Sequence, residues 1–296
     1  MSIKIRRFTD NVGYSADFQK VCDFLIRINQ NRITSPNCLW ARWVWQFGQH
    51  PDTQSHFGVA EDNEKIVGLA LYDHGLGDAY FCCDNDYAHL KPQLIDYAVK
   101  NLSLDGVIRI TLPDGDLHYQ QAALKKGFIP TSNRLSTARI DICNNTYDLP
   151  KGFTVMGCDE SNFDADKYYE SIWRGFDNKG KRSASQLESA KNREGFDKPY
   201  LDLSIRIMIV TPNGDYAAHC GMWCIPGSEY AYVEPVFTLP QYRKMGLGKA
   251  AVLEGVTRCS KLGAKQAYVL SSQQFYYNIG FYPVLNETWW ELKNNL

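Results

Sequence analysis

Tyr242-Arg243-Lys244-Met245-Gly246-Leu247-Gly248-Lys249 is the stretch from which the chain is read. It lies between a strand-like run, Tyr230 to Thr238, and a helix-like run, Leu247 to Leu262. Pro240 breaks the strand, and two glycines one residue apart open the helix. Helix N-termini carry unpaired backbone N–H groups and about half a positive charge, so they suit anionic oxygens. Glycine at alternate positions lets successive N–H groups converge with no Cβ atoms in the way. Arg243, Lys244 and Lys249 add side-chain charge at the same point. The stretch reads as a phosphate cradle, and more narrowly as a pyrophosphate cradle.

The neighbouring residues narrow the choice. A Walker loop needs Gly-x-x-x-x-Gly-Lys-Ser/Thr, and this segment has neither that spacing nor the metal-binding hydroxyl. Gly246-x-Gly248-x-x-Ala251 matches the looser dinucleotide fingerprint. That fold wants its first glycine directly off the strand and an acid about 20 residues later. Here residues intervene after Thr238, and the next strand (Lys265 to Ser271) runs into Ser271-Ser272-Gln273-Gln274 with no acid.

With the downstream segment added, the stretch resembles the GNAT acetyltransferase superfamily. Arg243-x-x-Gly246-x-Gly248 fits that family's Arg/Gln-x-x-Gly-x-Gly/Ala signature. Tyr232-Val233-Glu234-Pro235-Val236-Phe237-Thr238 looks like its fourth strand, and Phe275-Tyr276-Tyr277-Asn278-Ile279-Gly280-Phe281 like its Tyr-x-x-x-Gly-Phe segment. The resemblance implies an α+β fold (a three-layer α/β arrangement) in which a mixed, mostly antiparallel sheet is flanked by helices.

Composition excludes other classes. The chain of 296 residues is 44% apolar and balances 32 Lys+Arg against 33 Asp+Glu. No global field favours nucleic acid or an anionic membrane. No signal-peptide stretch and no run of about 18 apolar residues stands in the sequence. Nine cysteines without a framework spacing fit reduced, buried thiols in a cytoplasmic protein, Cys82, Cys83, Cys220 and Cys224 among them.

The first half opens with a strand, Ile3 to Phe8, then helix-like runs at Ala16 to Asn29 and Cys38 to Phe47. Phe57 to Glu61 and Lys65 to Tyr72 read as paired strands, followed by a strand at Asp78 to Cys83. A helix (Leu90 to Leu102), a strand (Val107 to Leu112), a short helix (Leu117 to Lys126) and a last strand (Ser136 to Ile142) complete it. The order repeats in the second half. At the cradle position, however, Asp86 to Leu94 holds no glycine, and Pro92 has no N–H to offer. Ala123 stands where the second half has Tyr276. Residues 1–145 therefore read as a degenerate acetyltransferase-like domain and 146–296 as the catalytic one, divided in the polar stretch Asn144 to Gly152. Asn144-Asn145-Thr146 also fits a glycosylation pattern, without consequence in a cytoplasmic chain.

In the second half, helix-like Asp164 to Phe176 carries Tyr168, Ile172 and Trp173 at helical spacing. Polar Asp177 to Pro199 reads as a lid or as plain surface, with a short helix near Ser185 to Asn192. Leu203 to Val210, an Asn213-Gly214 turn, Tyr216 to Cys224 and Tyr230 to Thr238 form an antiparallel meander into the cradle.

The resemblance implies acetyl-CoA as co-substrate, with no metal. Val236, Phe237 and Thr238 would pair with the pantetheine arm, the amides of Lys244, Met245, Gly246, Leu247, Gly248 and Lys249 would hold the diphosphate, and Arg243 would add side-chain charge to the cofactor site. Tyr276 is the expected general acid, with Tyr277 as its fallback. Glu234 is the expected base or orienting acid, and His219 the alternative. Trp173, Trp223, Tyr230 and Tyr232 are candidate walls of an acceptor pocket, or core. The expected acceptor is a primary amine of a small molecule or peptide, with small amines, aminoglycoside-like antibiotics, amino acids and peptide or protein amines all open and a small molecule favoured over a protein; a homodimer is open, and no nucleic acid or membrane partner is expected. A non-catalytic acyl-CoA-binding or sensing protein is the competing reading, and a purely structural dimer module a third.

Overall fold

The computed structural model describes residues 3–9, 13–30, 33, 35–47, 52–143 and 145–292, so Asn144 lies outside the described residues. Two compact units divide them. One runs through Thr137 and takes in Leu270–Ser272 and the segment from Pro283 onward; the other comprises Ala138–Val269 and Gln273–Tyr282.

The chain builds β1 (Ile5–Arg7), α1 (Ala16–Ile28), a 3-10 turn (Pro36–Cys38) and α2 (Trp40–Gln46). It continues through β2 (Gly58–Asp62), β3 (Lys65–Leu71), β4 (Asp78–Cys83), α3 (Lys91–Asn101), β5 (Arg109–Pro113), α4 (Leu117–Lys125) and β6 (Phe128–Asp141). The same order then returns as β7 (Thr154–Gly157), α5 (Ala165–Gly175), α6 (Ala184–Glu194), β8 (Ile207–Val210), β9 (Tyr216–Trp223) and β10 (Tyr230–Thr238). It closes with α7 (Leu247–Lys261), β11 (Gln266–Leu270), α8 (Gln274–Asn278) and β12 (Tyr282–Leu292). The internal repeat is therefore a repeat of structure.

Local chemistry sets the helix starts. Ser15 accepts from Phe18 N–H and Asp164 from Lys167 N–H. Ser183 and Gln186 form a reciprocal capping box at the head of α6, in the middle of the polar segment. Each satisfies amide hydrogens that the first helical turn leaves unpaired. The residues from Leu203 to Ile205, expected as strand, form a 3-10 turn before β8.

In the first unit the strands run β1-β2-β3-β4-β5-β12, antiparallel except for β4 beside β5. In the second, β7-β8-β9-β10 is an antiparallel meander, and β10 lies parallel to β11. Both faces of this second sheet are covered. Ile207, Ile209, Met222, Ala231 and Val233 pack with Val252, Val256 and Cys259 of α7. On the other face Met208, Tyr216 and Phe237 pack with Tyr168, Tyr169 and Ile172 of α5. Alternate residues of β8 thus serve opposite cores, which is why the strand is apolar throughout.

The units do not follow one cut in the sequence. Strand β12, last in the chain, pairs antiparallel with β5, from Glu287 opposite Pro113 to Glu291 opposite Arg109. Its Glu287 is 2% exposed and accepts hydrogen bonds from Ser35 Oγ at 2.6 Å and Asn37 Nδ2 at 2.9 Å. Thr288 Oγ1 donates to Asp114 Oδ1 at 2.6 Å, and the Arg109 guanidinium stands 5.0 Å from the Trp289 ring centroid.

The expectation of free thiols fails for one pair. Cys38 and Cys82 are joined in a disulfide, with Cα atoms 5.5 Å apart. The 3-10 turn ending at Cys38 sits over β4, and neighbouring strand residues point to opposite faces, so Cys82 meets Cys38 while Cys83 stays free. The other cysteines, Cys220 and Cys224 included, are free as expected.

Burial raises the Glu287 carboxyl to about 7, against which the Ser35 bond acts in the opposite direction. Below the unfolded carboxyl pKa the group is neutral in both states and its contribution is complete; that contribution is lost as pH rises through about 7. Glu287→Gln keeps one acceptor and removes the ionisation. The variant should gain on the wild type by about 2–3 kcal/mol between roughly pH 5 and pH 8, read from denaturant midpoints.

Candidate active site

Strands β10 and β11 pair only from Tyr230–Tyr232 against Gln266–Tyr268. Strand β10 keeps its bonds to β9 as far as Thr238, with a register shift between Val233 and Val236. Past Tyr232 the two parallel strands no longer pair, so the β11-facing backbone of Val236, Phe237 and Thr238 has no ladder partner in β11. A strand edge left open in this way offers N–H and C=O groups to an extended chain laid along it.

The cradle lies just beyond the strand. A 3-10 turn (Pro240–Tyr242) reverses the chain, and Gly246 caps α7 in the left-handed region at φ 80°. The first backbone bond of the helix runs from Ala250 N–H to Gly246 O at 3.0 Å, so the amides from Lys244 to Lys249 precede the helical ladder. Lys244, Met245, Gly246 and Lys249 are exposed, while Leu247 and Gly248 are buried. A Cβ on Gly246 would meet nothing within 4 Å, so glycine is needed there for its conformation. At Gly248 the reason is space, because a Cβ would stand 2.9 Å from Thr238 Oγ1.

Arg243 is engaged elsewhere. Its Nε donates to Thr238 O at 3.1 Å, its Nη2 donates to Gly175 O at 3.0 Å, and it pairs with Asp177 at 2.9 Å. The arginine ties the end of β10 to the end of α5 while itself exposed, and Lys244 and Lys249 are further exposed cations of the turn.

Tyr276 sits on α8 and is 7% exposed, its ring 5.0 Å from that of Phe275 and 5.5 Å from that of Phe281. Burial first, then nearby negative charge that includes Glu234, pushes its phenol well above the ordinary range. Tyr277 is half-buried beside it.

Glu234 lies inside the register shift of β10 and is half-buried. Its Oε2 accepts from Tyr232 OH at 2.7 Å, and its backbone oxygen accepts from Trp223 Nε1 at 2.9 Å. Trp223 and Tyr232 are register partners and face the same side of the sheet. His219 is fully buried, 5.0 Å from Tyr168 and 5.5 Å from Phe237 between ring centroids. Burial, reinforced by the charge of Arg206, holds it neutral well below the usual histidine range. Of the two proposed bases, Glu234 is the one with access to solvent.

Trp173 is half-buried near the end of α5. Its indole Nε1 donates to Gly180 O at 3.1 Å and the Arg182 guanidinium stands 5.0 Å from its ring, placing it against the loop after α5. Helical spacing put it beside Ile172, but the buried face of α5 is Tyr168, Tyr169, Ser171, Ile172 and Gly175. Tyr230 is buried and packs edge-on against Tyr268 at 6.2 Å.

The first copy offers no such cradle. Before α3 a 3-10 turn (Asn85–Leu90) fills the equivalent place, with Asp84 accepting from Asp86 N–H. Leu90 caps α3 in the right-handed region, and Pro92 lies in its first turn. Lys91 is turned inward to Asp116 at 2.6 Å, over the Tyr119 ring. Ala123 is fully buried.

One residue went unremarked in the sequence. Arg206, at the head of β8, is 3% exposed in the second unit. The only signal was a lone arginine in front of the apolar run Ile207-Met208-Ile209-Val210.

Residues 165–282 match the model of the acetyltransferase (GNAT) family. No curated protein matches the sequence. A tandem GNAT protein from the clavulanic acid biosynthesis pathway superposes with a TM-score of 0.59 at 12% identity, over 100% of both chains. A GNAT-family acetyltransferase from Colwellia psychrerythraea gives 0.59 at 14% identity, over 99% of this chain and 100% of its own. A GCN5-related N-acetyltransferase from Sphaerobacter thermophilus gives 0.54 at 12%, over 81% and 82%. At these identities the likeness is one of fold, and it extends to the tandem arrangement.

Gly246→Ala places a side chain in a left-handed cap that has room for it but penalises its conformation. Unfolding free energy should fall by about 1–2 kcal/mol. A thermal denaturation midpoint equal to wild type would contradict the φ of 80° at this position.

Proposed function

We propose, from the match of residues 165–282 to the acetyltransferase (GNAT) family model, that the second unit is an acetyl-CoA-dependent N-acetyltransferase. It would move the acetyl group to a primary amine by direct attack in a ternary complex. The observation that carries the reading is the conjunction of an open strand gap with a glycine-capped helix start at its end.

The bound thioester supplies an activated acyl carbon. The backbone of Val236, Phe237 and Thr238 would pair with the pantetheine arm in the gap, and the amides from Lys244 to Lys249 would take the diphosphate oxygens, with Lys244 and Lys249 adding charge. Arg243 supports this frame by bonding the carbonyls of Thr238 and Gly175. Holding two reactants in attack geometry is worth up to roughly 7–11 kcal/mol in favourable cases.

An ammonium has no lone pair, so the acceptor must lose a proton. Glu234, half-buried and held by Tyr232, would receive it, through a water if the two do not touch. The amine nitrogen would then bond the acyl carbon as the carbon–sulfur bond breaks; the departing thiolate would take the phenolic proton of Tyr276, and the further proton shed by the nitrogen would restore that phenol through water. Because the Tyr276 phenol is raised, it stays protonated through the neutral and mildly alkaline range. Its titration therefore places no alkaline limit on activity within the ordinary phenol range.

Close packing of Tyr276 between Phe275 and Phe281 favours a second reading, a binder of acyl-CoA that does no chemistry. Release of thiol from acetyl-CoA over a panel of primary amines separates the two. Tyr276→Phe should lower turnover by about 10–100-fold while the thermal stabilisation by acetyl-CoA is kept. Wild-type turnover in that variant would remove Tyr276 from the mechanism.

A further inference from the structure

Arg206 is a charged side chain sealed inside the second unit with almost nothing to bond. It is 3% exposed, and its Nε and Nη1 have no hydrogen-bond partner among the described residues. Among the described residues its Nη2 reaches only Tyr168 OH, at 3.4 Å. No described carboxylate lies within ion-pair distance of it. A guanidinium is charged at every accessible pH, so burial cannot neutralise it as it does His219. A buried, unpaired cation is among the costliest arrangements in a folded chain, and unsatisfied donors of this kind mark sites completed by a ligand.

Its surroundings say which ligand. The guanidinium carbon stands 5.7 Å from the Trp223 ring centroid. A Cβ on Gly221 would be 2.9 Å from Arg206 Nη1 and 2.4 Å from Glu234 O, so both crowd the same glycine. The free donors thus lie at the register shift of β10, beside the residue proposed to take the amine's proton. Arg206, His219, Gly221 and Trp223 share the α5 side of the sheet, with α7 on the other.

We propose that Arg206 binds the carboxylate of the acceptor, and that the acceptor is an amine carrying a carboxylate close by, of the α-amino acid class. The planar fork of a guanidinium matches the two oxygens of a carboxylate. Glu234 faces the amine and Arg206 the acid, so the opposite ends of a zwitterion meet opposite charges. Purely cationic polyamines would bring like charge against Arg206 and are disfavoured. This inference names the acceptor for the acetyltransferase reading and rests on it for the chemistry, but the binding claim is tested without turnover.

The experiment is thermal denaturation of the full chain with each of the common α-amino acids and, separately, its carboxamide, in wild type and in Arg206→Met and Arg206→Lys. At least one amino acid should raise the wild-type midpoint where its amide does not. Arg206→Met should lose that discrimination while keeping the stabilisation by acetyl-CoA, and Arg206→Lys should restore part of it. Without ligand, Arg206→Met should melt at or above the wild-type temperature, because it removes an unpaired buried charge and keeps the volume. In the thiol-release assay the same amino acid should exceed its amide by about 100-fold or more in kcat/KM. If no acid–amide pair is distinguished by wild type, or if Arg206→Met distinguishes them as well as wild type does, the assignment is overturned. Failure of acetyl-CoA to stabilise wild type would instead overturn the acetyltransferase reading, with the acid–amide comparison still deciding Arg206.

Discussion

Two parallel strands that stop pairing partway along their length leave backbone groups with nowhere to bond, and the second unit is arranged around that deficit. Strand β10 keeps its partner on one side through Thr238 and loses its partner on the other after Tyr232. The chain then turns through a left-handed glycine into a helix whose first amides are equally unpaired. Both deficits lie within one short stretch. A molecule with amides at one end and a diphosphate at the other would satisfy both, as the proposed function requires.

The first unit shows what happens when the requirement is relaxed. Strands β4 and β5 also pair over only Asp78–Ala79 against Arg109–Ile110. Yet the helix that follows begins with an ordinary right-handed residue and a proline, and its lysine is turned inward onto an aspartate. The fold outlasts the cradle because the fold depends on apolar alternation and capping, whereas the cradle depends on two bare positions. The copy instead receives a strand from the end of the chain, fixed by a buried carboxylate on Ser35 and Asn37.

Much of this was legible in the sequence for the same reason. Glycine at Gly246 and Gly248 answers a demand that few other residues meet, so the cradle announced itself. The element order followed from periodicity and from turn signals such as Asn213-Gly214. What escaped depended on residues distant in sequence. Glu287 finds its partners about 250 residues away, and Cys38 meets Cys82 across 44; neither pairing leaves a local pattern. Helical spacing could not say that Ile172 turns inward while Trp173 stays half-buried. Arg243 was marked by its motif, but its bonds to the carbonyls of Thr238 and Gly175 were not legible there. Arg206 was invisible because its meaning lies in the partners it lacks.

The central claim is that the amides from Lys244 to Lys249 hold a coenzyme diphosphate, in the second unit alone. A crystal structure of the full chain with bound CoA tests it most directly. The account predicts diphosphate oxygens within hydrogen-bond distance of those amides, the pantetheine arm along Val236 to Thr238, and no CoA at the start of the helix at Lys91. A diphosphate seated anywhere else, or a second CoA at Lys91, would contradict it.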